Sequence, residues 1–351
     1  MNMLPLILLF VAQDAHKLVV PEYPLPTQVR SAFLKLLDRP RVPLDARQEL
    51  LSLQPSEEAF SIASEKRADG EIERVPILIS KPANLTGRAP VVIVLHGTGG
   101  DKFGVREWLK DLNARGIIGV AIDGRFHGER AMGQRANNKA YLDAITRAWK
   151  AKPDDPKTYP FYFDTCWDVW RVIDYLETRA DVDPNRIGLM GISKGGIETW
   201  LAGAVDQRVK VAVPCIGVQS FRWSLDNDQW QGRANTIAAP HKVAAADRGE
   251  SAITRETCRA LWSKVIPGML DQFDCPSMLR LFAGRSLLII NGDEDPNCPL
   301  GGAKVAIASA EKAFQDANAP EKLKVDIARK SGHTITAAQK TMILEWFAKW
   351  L

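Results

Sequence analysis

Residues Arg186 to Trp200 read RIGLMGISKGGIETW. The apolar run to Met190 and Gly191 predicts a short buried strand, and GGIETW opens a helix. Small residues at 191 and 195 let the chain turn sharply between them, so that the hydroxyl of Ser193 projects from the top of a sheet. A helix start also aims free backbone N–H groups at negative charge. On this stretch alone Ser193 is either a nucleophile or an ordinary helix-capping serine behind a tight turn. The choice depends on whether the chain supplies a base, an acid and an oxyanion site in a compatible order.

Around that stretch, EIERVPILISKP predicts a strand ending before Pro82, and APVVIVLHGTGG contains the β-branched run of a strand buried on both faces. GIIGVAIDGR, KVAVPCIG, RSLLIING and KLKVDIA read the same way. Helical patterns separate them: around Arg106 to Ala114, along FDTCWDVWRVIDYLETRADVDPNR, across Gly302 to Phe314, and in the closing TAAQKTMILEWFAKWL. This alternation predicts an α/β fold with a mostly parallel central sheet flanked by helices over 71–351, and reactive groups beyond the strand carboxyl ends. Residues 218–283 carry little strand signal and read as a mainly helical insertion over the active edge. Residues 16–70 form an extension in which PTQVRSAFLKLLDRP predicts a short helix and PSEEAFSIASEKRADG a second, polar one.

The chain has 351 residues, 46% hydrophobic and 25% charged, with 46 basic and 42 acidic side chains. A formal charge of +4 without a basic stripe gives no sign of nucleic acid as a partner. The five cysteines, at 166, 215, 258, 275 and 298, form no CxxC pair, which argues against a disulfide scaffold or zinc knuckle. The apolar run from Leu4 to Ala12 suits a secretory signal over residues 1–15 and a secreted or periplasmic protein. It lacks a preceding positive charge and a clean A-x-A site, so the alternative is an N-terminal element packed on a cytoplasmic protein. No later stretch is long and apolar enough for integral membrane association.

A serine needs a base near neutral pH. The histidines are His16, His96, His127, His241 and His333. His333, in ARKSGHTIT, follows the last strand and precedes the closing helix, which places its imidazole at the active edge. The imidazole needs a carboxylate to fix its tautomer. LLIINGDEDPNCP offers Asp293 and Asp295, which the turn alone does not separate; the longer Glu294 reads as solvent exposed. LHGTGG supplies the backbone N–H of Thr98 as one oxyanion donor, and Lys194, directly after Ser193, supplies another.

The ordered set HGTGG, DGRFHGER, GISKGG, NGDEDPNCP and SGH resembles the α/β-hydrolase superfamily, closest to its dienelactone hydrolase, acetyl xylan esterase and prolyl-oligopeptidase-like esterase branches. The resemblance covers roughly residues 72–351. It implies an α/β-hydrolase fold with Ser193 as nucleophile, His333 as base, and Thr98 and Lys194 as oxyanion donors. The family acid stands three residues after the glycine ending its strand, so Gly292 points to Asp295. Serine at the elbow departs from dienelactone hydrolases proper, which use cysteine. Lys194 also departs from many relatives, and its side chain is expected either to meet a supporting carboxylate or to favour an anionic substrate. In DGRFHGER, Arg125, His127 and Arg130 are candidates for the pocket rim and Asp123 is expected to pair with Arg125, while the resemblance implies that the stretch, with Asp123, Arg125 and His127, mainly organises its loop. The arginines there argue against a metal, and none is assigned.

The function so implied is serine hydrolysis of a carboxylic ester through an acyl-enzyme, as a carboxylesterase or acetyl esterase without a cofactor, on a small-molecule or sugar-linked ester. One alternative is a prolyl-oligopeptidase-like peptidase, although about 70 residues before the hydrolase region are too few for the usual propeller. An alternative of another class is a noncatalytic binding protein on this fold. Phe221, Trp223, Trp230 and Trp262 either line a sugar-stacking or apolar pocket or form the core of the insertion.

Overall fold

The computed structural model describes residues 20–49, 53–134 and 138–351. The signal expected over residues 1–15, and His16, lie outside that range. Among the described residues, nine strands form one sheet: β1 (Arg47–Gln48), β2 (Glu57–Lys66), β3 (Ile72–Ser80), β4 (Ala89–Leu95), β5 (Ile118–Ile122), β6 (Val182–Ile192), β7 (Val209–Cys215), β8 (Ser286–Gly292) and β9 (Leu323–Ala328). Their spatial order is β1-β2-β3-β5-β4-β6-β7-β8-β9. The first three pairings, ending with β3 on β5, are antiparallel. From β5 to β9 every pairing is parallel. The α/β fold with its parallel centre follows the sequence expectation, and an antiparallel hairpin is added at one edge.

Residues 57–66 correct the expectation of a polar helix. They form β2, whose Phe60 pairs with Ile77 and Ile62 with Val75 on β3. Phe60, Ile62 and Ala63 are buried in the core. The polar residues between them are occupied by partners from elsewhere: Ser61 Oγ accepts from Arg74 Nε at 2.9 Å, and Glu65 pairs with Arg39 and Arg125. The sheet therefore starts before residue 71.

Helices cover both faces because successive strand side chains point opposite ways. On β4, Val91, Ile93 and Leu95 join one cluster, while Val92 and Val94 join the other. The first cluster is closed by α1 (Pro26–Leu36), α4 (Phe163–Thr178), α5 (Lys194–Val205) and α11 (Leu300–Asp316). The second is closed by α2 (Arg106–Asn113) and the C-terminal α12 (Ala337–Trp350). Helix α3 (Lys139–Lys150) follows the loop after β5. Between β7 and β8 the insertion folds as α6 (Phe221–Asp226), α7 (Gln231–Asn235), α8 (Ala238–Asp247), α9 (Arg255–Val265) and α10 (Cys275–Leu279). Helix α5 is buried along its whole length, which explains why its sequence is rich in Gly, Ala and apolar residues rather than amphipathic. No described helix is long and apolar enough to cross a membrane.

Candidate active site

Strand β6 ends at Ile192 and α5 starts at Lys194, leaving Ser193 as the whole connection, at φ 58° and ψ −111°. Such a conformation is strained for a residue with a Cβ and needs surrounding bonds to hold it. The Ser193 N–H donates to Cys215 O at 2.9 Å, and Ile197 N–H donates to Ser193 O at 3.1 Å. A Cβ on residue 191 would lie 2.2 Å from Gly195 O, and one on residue 195 would lie 2.4 Å from Leu95 O. Only glycine permits both approaches. Ser193 occupies the N-cap position, yet its side chain caps nothing. Its Oγ instead lies 2.7 Å from His333 Nε2, which separates the two readings of this serine.

His333 sits in the loop between β9 and α12, and its Nδ1 lies 2.7 Å from Asp295 Oδ2. Asp295, 2% exposed, follows β8. Its Oδ1 accepts from the N–H of Asn297 at 2.8 Å and of Cys298 at 3.2 Å, which leaves Oδ2 for the imidazole. Asp293 Oδ1 accepts instead from Ser331 N at 3.2 Å, steadying the loop that carries His333. Glu294 is exposed, as its length suggested. The turn thus divides its acids by direction: Asp295 faces the imidazole and Asp293 faces the neighbouring backbone.

The other described histidines are held neutral by their surroundings. His96 Nδ1 lies 2.7 Å from Gly97 O, and its Nε2 accepts from Gly124 N at 3.0 Å. Burial and the nearby Lys194 ammonium push its pKa down to about 4. His127 Nδ1 lies 2.7 Å from Arg125 O, and burial drives its pKa well below the usual histidine range. His241, on α8, bonds Ile237 O at 2.9 Å and is also pushed down to about 4 by burial.

The loop after β4 borders the elbow: a Cβ on Gly97 would lie 3.6 Å from Ser193 Cβ. Gly100 N donates to Gly97 O at 3.1 Å, which puts Thr98 inside a tight turn beside the serine. Lys194 is the first residue of α5, so its N–H has no carbonyl one turn back to accept it. The Lys194 side chain leads inward, its Nζ 2.5 Å from Glu198 Oε1, with both side chains 1% exposed. Of the two expectations for this lysine, the supporting carboxylate is the one the geometry provides. Sequence reasoning did not single out Glu198, although its place four residues after Lys194 on a helix was a readable signal.

Asp123 and Arg125 do not pair, and neither lies on a rim, since Asp123, Arg125 and His127 are all buried. Asp123 accepts from the N–H of Lys102 at 2.7 Å and of Glu129 at 2.9 Å, fastening its own loop to the loop after β4. Arg125 reaches across to Asp168 on α4, Nε to Oδ2 at 2.7 Å, and to Glu65 on β2. Arg130 shares the same Asp168 oxygen at 2.7 Å and reaches Glu73 on β3. A buried carboxylate can serve two guanidinium groups at once, and those two hold the Asp168 carboxyl far below its usual range. These contacts tie the loop after β5 to α4, to the hairpin and to the loop after β4, in place of an Asp123–Arg125 pair.

Asp295, Cys298 and His333 offer a carboxylate, a thiol and an imidazole within 4.8 Å of one another, the one such cluster among the described residues. The carboxylate and imidazole already bond each other, and burial pushes the Cys298 thiol far up, so it stays protonated and a poor ligand. All five cysteines are buried and free. From the insertion, Phe221 and Trp262 are core, whereas Trp223 and Trp230 are half-buried. Trp223 helps line a cavity of about 550 Å³ beside the acid turn, with Gln231, Gly232, Asp295, Pro296 and Gly301.

The chain has an α/β-hydrolase fold, and hydrogen bonds run in it from Ser193 through His333 to Asp295 in the arrangement of a serine-hydrolase triad. More particularly, two esterase family models match, each over less than half of the chain: acetyl xylan esterase (AXE1) over residues 60–221, and glucuronyl esterase, fungi, over residues 157–317. The YtaP protein of Bacillus subtilis (strain 168) is 22% identical over 292 residues, covering 80% of this chain and 84% of that protein. Among solved structures, acetyl xylan esterase 1 from Thermoanaerobacterium sp. JW/SL YS485 superimposes with a TM-score of 0.62 at 17% identity, over 95% of both chains. A glucuronoyl esterase from Solibacter usitatus gives 0.60 at 17% identity, over 95% of this chain and 99% of that one.

Proposed function

We propose that this protein hydrolyses carboxylic esters of sugars through an acyl-enzyme, with Ser193 as nucleophile, His333 as general base and acid, and Asp295 as the group that orients the imidazole. The observation that carries the reading is the pair of 2.7 Å contacts joining Ser193 Oγ, His333 and Asp295 Oδ2. With Nδ1–H donated to Asp295, Nε2 is left to accept the serine proton as Oγ attacks the ester carbonyl. The Thr98 and Lys194 N–H groups are the donors we assign to the oxyanion, where fixed dipoles cost no reorganisation as charge develops. The protonated imidazole then gives its proton to the departing alcohol. Water, deprotonated by the same Nε2, releases the acid and restores Ser193.

We place the sugar in the cavity beside the acid turn, which Asp295 lines and Ser193 and His333 do not. There the half-buried Trp223 offers a ring face, and Asp228, Gln229 and Gln231 offer polar partners for hydroxyl groups. Both matching family models describe esterases of sugar-linked acids or acetyl groups, which supports the same substrate class.

The test is hydrolysis of 4-nitrophenyl acetate, acetylated xylo-oligosaccharides and a methyl glucuronate ester by the wild type and by Ser193→Ala. A loss of kcat by roughly 10⁴-fold or more in the variant is expected on every substrate cleaved. Hydrolysis unchanged by Ser193→Ala sinks the mechanism. Failure on both sugar esters alone sinks only the substrate class.

A further inference from the structure

Arg233, on α7 of the insertion, is 2% exposed, and no carboxylate among the described residues lies within salt-bridge distance of its guanidinium. Burial disfavours its charge, while Tyr162, Cys298 and the Asp295 carboxylate favour it, which ties the group electrostatically to the acid turn. Its Nη2 donates to Asn297 O at 2.8 Å and reaches Cys298 Sγ at 3.5 Å. These are the two residues whose N–H groups grip Asp295 Oδ1. Cys298 Sγ in turn lies 3.3 Å from Ile216 O, at the end of β7 beside the elbow. The guanidinium stacks near the Phe221 ring, 5.8 Å from its centroid, which excludes water from that side. Its Nε has no partner among the described residues.

We infer that Arg233 is a positioning residue for the acid: it clamps the Asn297–Cys298 peptide from behind, so that the two N–H groups in front keep the Asp295 carboxylate aimed at His333. The inference rests on the ester-hydrolase reading and extends the machinery into the insertion, where no sequence motif announces it. A lysine here keeps the charge and the donors of a single nitrogen on a flexible stem. Glutamine keeps a donor and loses the charge. Neither reproduces the rigid, planar guanidinium whose Nη2 touches Asn297 O and Cys298 Sγ together.

The experiment compares the wild type with Arg233→Gln, Arg233→Lys and Ser193→Ala on 4-nitrophenyl acetate, after circular dichroism has established folding. Arg233→Gln is expected to lower kcat about 10- to 100-fold with KM within about twofold, because a displaced acid slows chemistry without touching the substrate. Arg233→Lys is expected to recover part of that loss. A folded Arg233→Gln variant with wild-type kcat overturns the inference, as does a loss that falls on KM. If the glutamine variant does not fold, a wild-type kcat in Arg233→Lys overturns it. A fully active Ser193→Ala would instead overturn the ester-hydrolase reading itself, which keeps the two failures distinct.

Discussion

Lys194 Nζ and Glu198 Oε1 meet at 2.5 Å, one turn apart on α5 and sealed from water directly after the serine elbow. Burial pushes the Glu198 carboxyl up while the ammonium pulls it down. The same ammonium helps keep His96 and His127 neutral. Lys194 therefore reinforces what burial imposes on one histidine in the loop after β4 and one in the loop after β5. Glu198→Ala strands a buried cation and is expected to cost about 3–5 kcal/mol in urea unfolding. The double variant Lys194→Met with Glu198→Leu should cost clearly less, because it removes both charges. A single variant as stable as the wild type would show that the pair is not sealed.

The two aspartates of the acid turn should separate sharply in kinetics. Asp295→Asn keeps the shape but disfavours the tautomer in which Nε2 accepts, and a fall in kcat of about 10⁴-fold is expected. Asp293→Asn leaves an oxygen for Ser331 N and is expected to stay within about tenfold of the wild type. The reverse order of effects on 4-nitrophenyl acetate would reassign the acid.

Gly195 gives a backbone test of the elbow. Gly195→Ala sets a methyl 2.4 Å from Leu95 O, which no side-chain rotation relieves. A loss of about 3 kcal/mol or more is expected, or no soluble protein. Gly249→Ala meets nothing within 4 Å and carries only the strain of φ 73°, so a cost of about 1 kcal/mol is expected there. Equal effects at the two positions would mean the elbow is looser than its geometry indicates.

Acid should destabilise the fold through its buried histidines. His241 has a folded pKa of about 4, below its ordinary value of 6.5. Between those values the unfolded chain binds a proton that the folded chain refuses. Stability from this group is therefore complete above pH 6.5 and drains away as pH falls towards 4, by up to about 3 kcal/mol. Asp274 works in the opposite sense, since burial raises its carboxyl to about 7. Comparing the wild type with His241→Phe at each pH cancels that contribution. The stability difference, wild type minus variant, should shrink from pH 7 to pH 4, and a constant difference refutes the account.

The central strands and the site were legible because each rests on local pattern. Unbroken β-branched runs such as VVIVL can be satisfied only by burial on both faces, and turns placed after such runs bring Ser193, Asp295 and His333 to one edge. Residues 57–66 were not legible. Their Glu and Ser residues imitate a solvated helix, because the arginines that neutralise them, Arg39, Arg74 and Arg125, come from separate parts of the chain. The Asp123–Arg125 pairing failed for the same reason: proximity in sequence favoured it, while Asp168, 43 residues beyond Arg125, offered a buried partner. Arg233 left no trace in the sequence, since an arginine in a polar helical stretch looks like surface until the turn behind it is known.

The β2–β3 hairpin also has a bearing on how the molecule meets others of its kind. It leaves the sheet ending on β1, two exposed residues, one of them an arginine, and too short to template another strand. A chain trimmed to begin at Glu71 would expose β3 as a nine-residue open border with six consecutive buried positions. The same cut would take Glu65 from Arg125. The extension before residue 71 thus supplies the strand that covers this border.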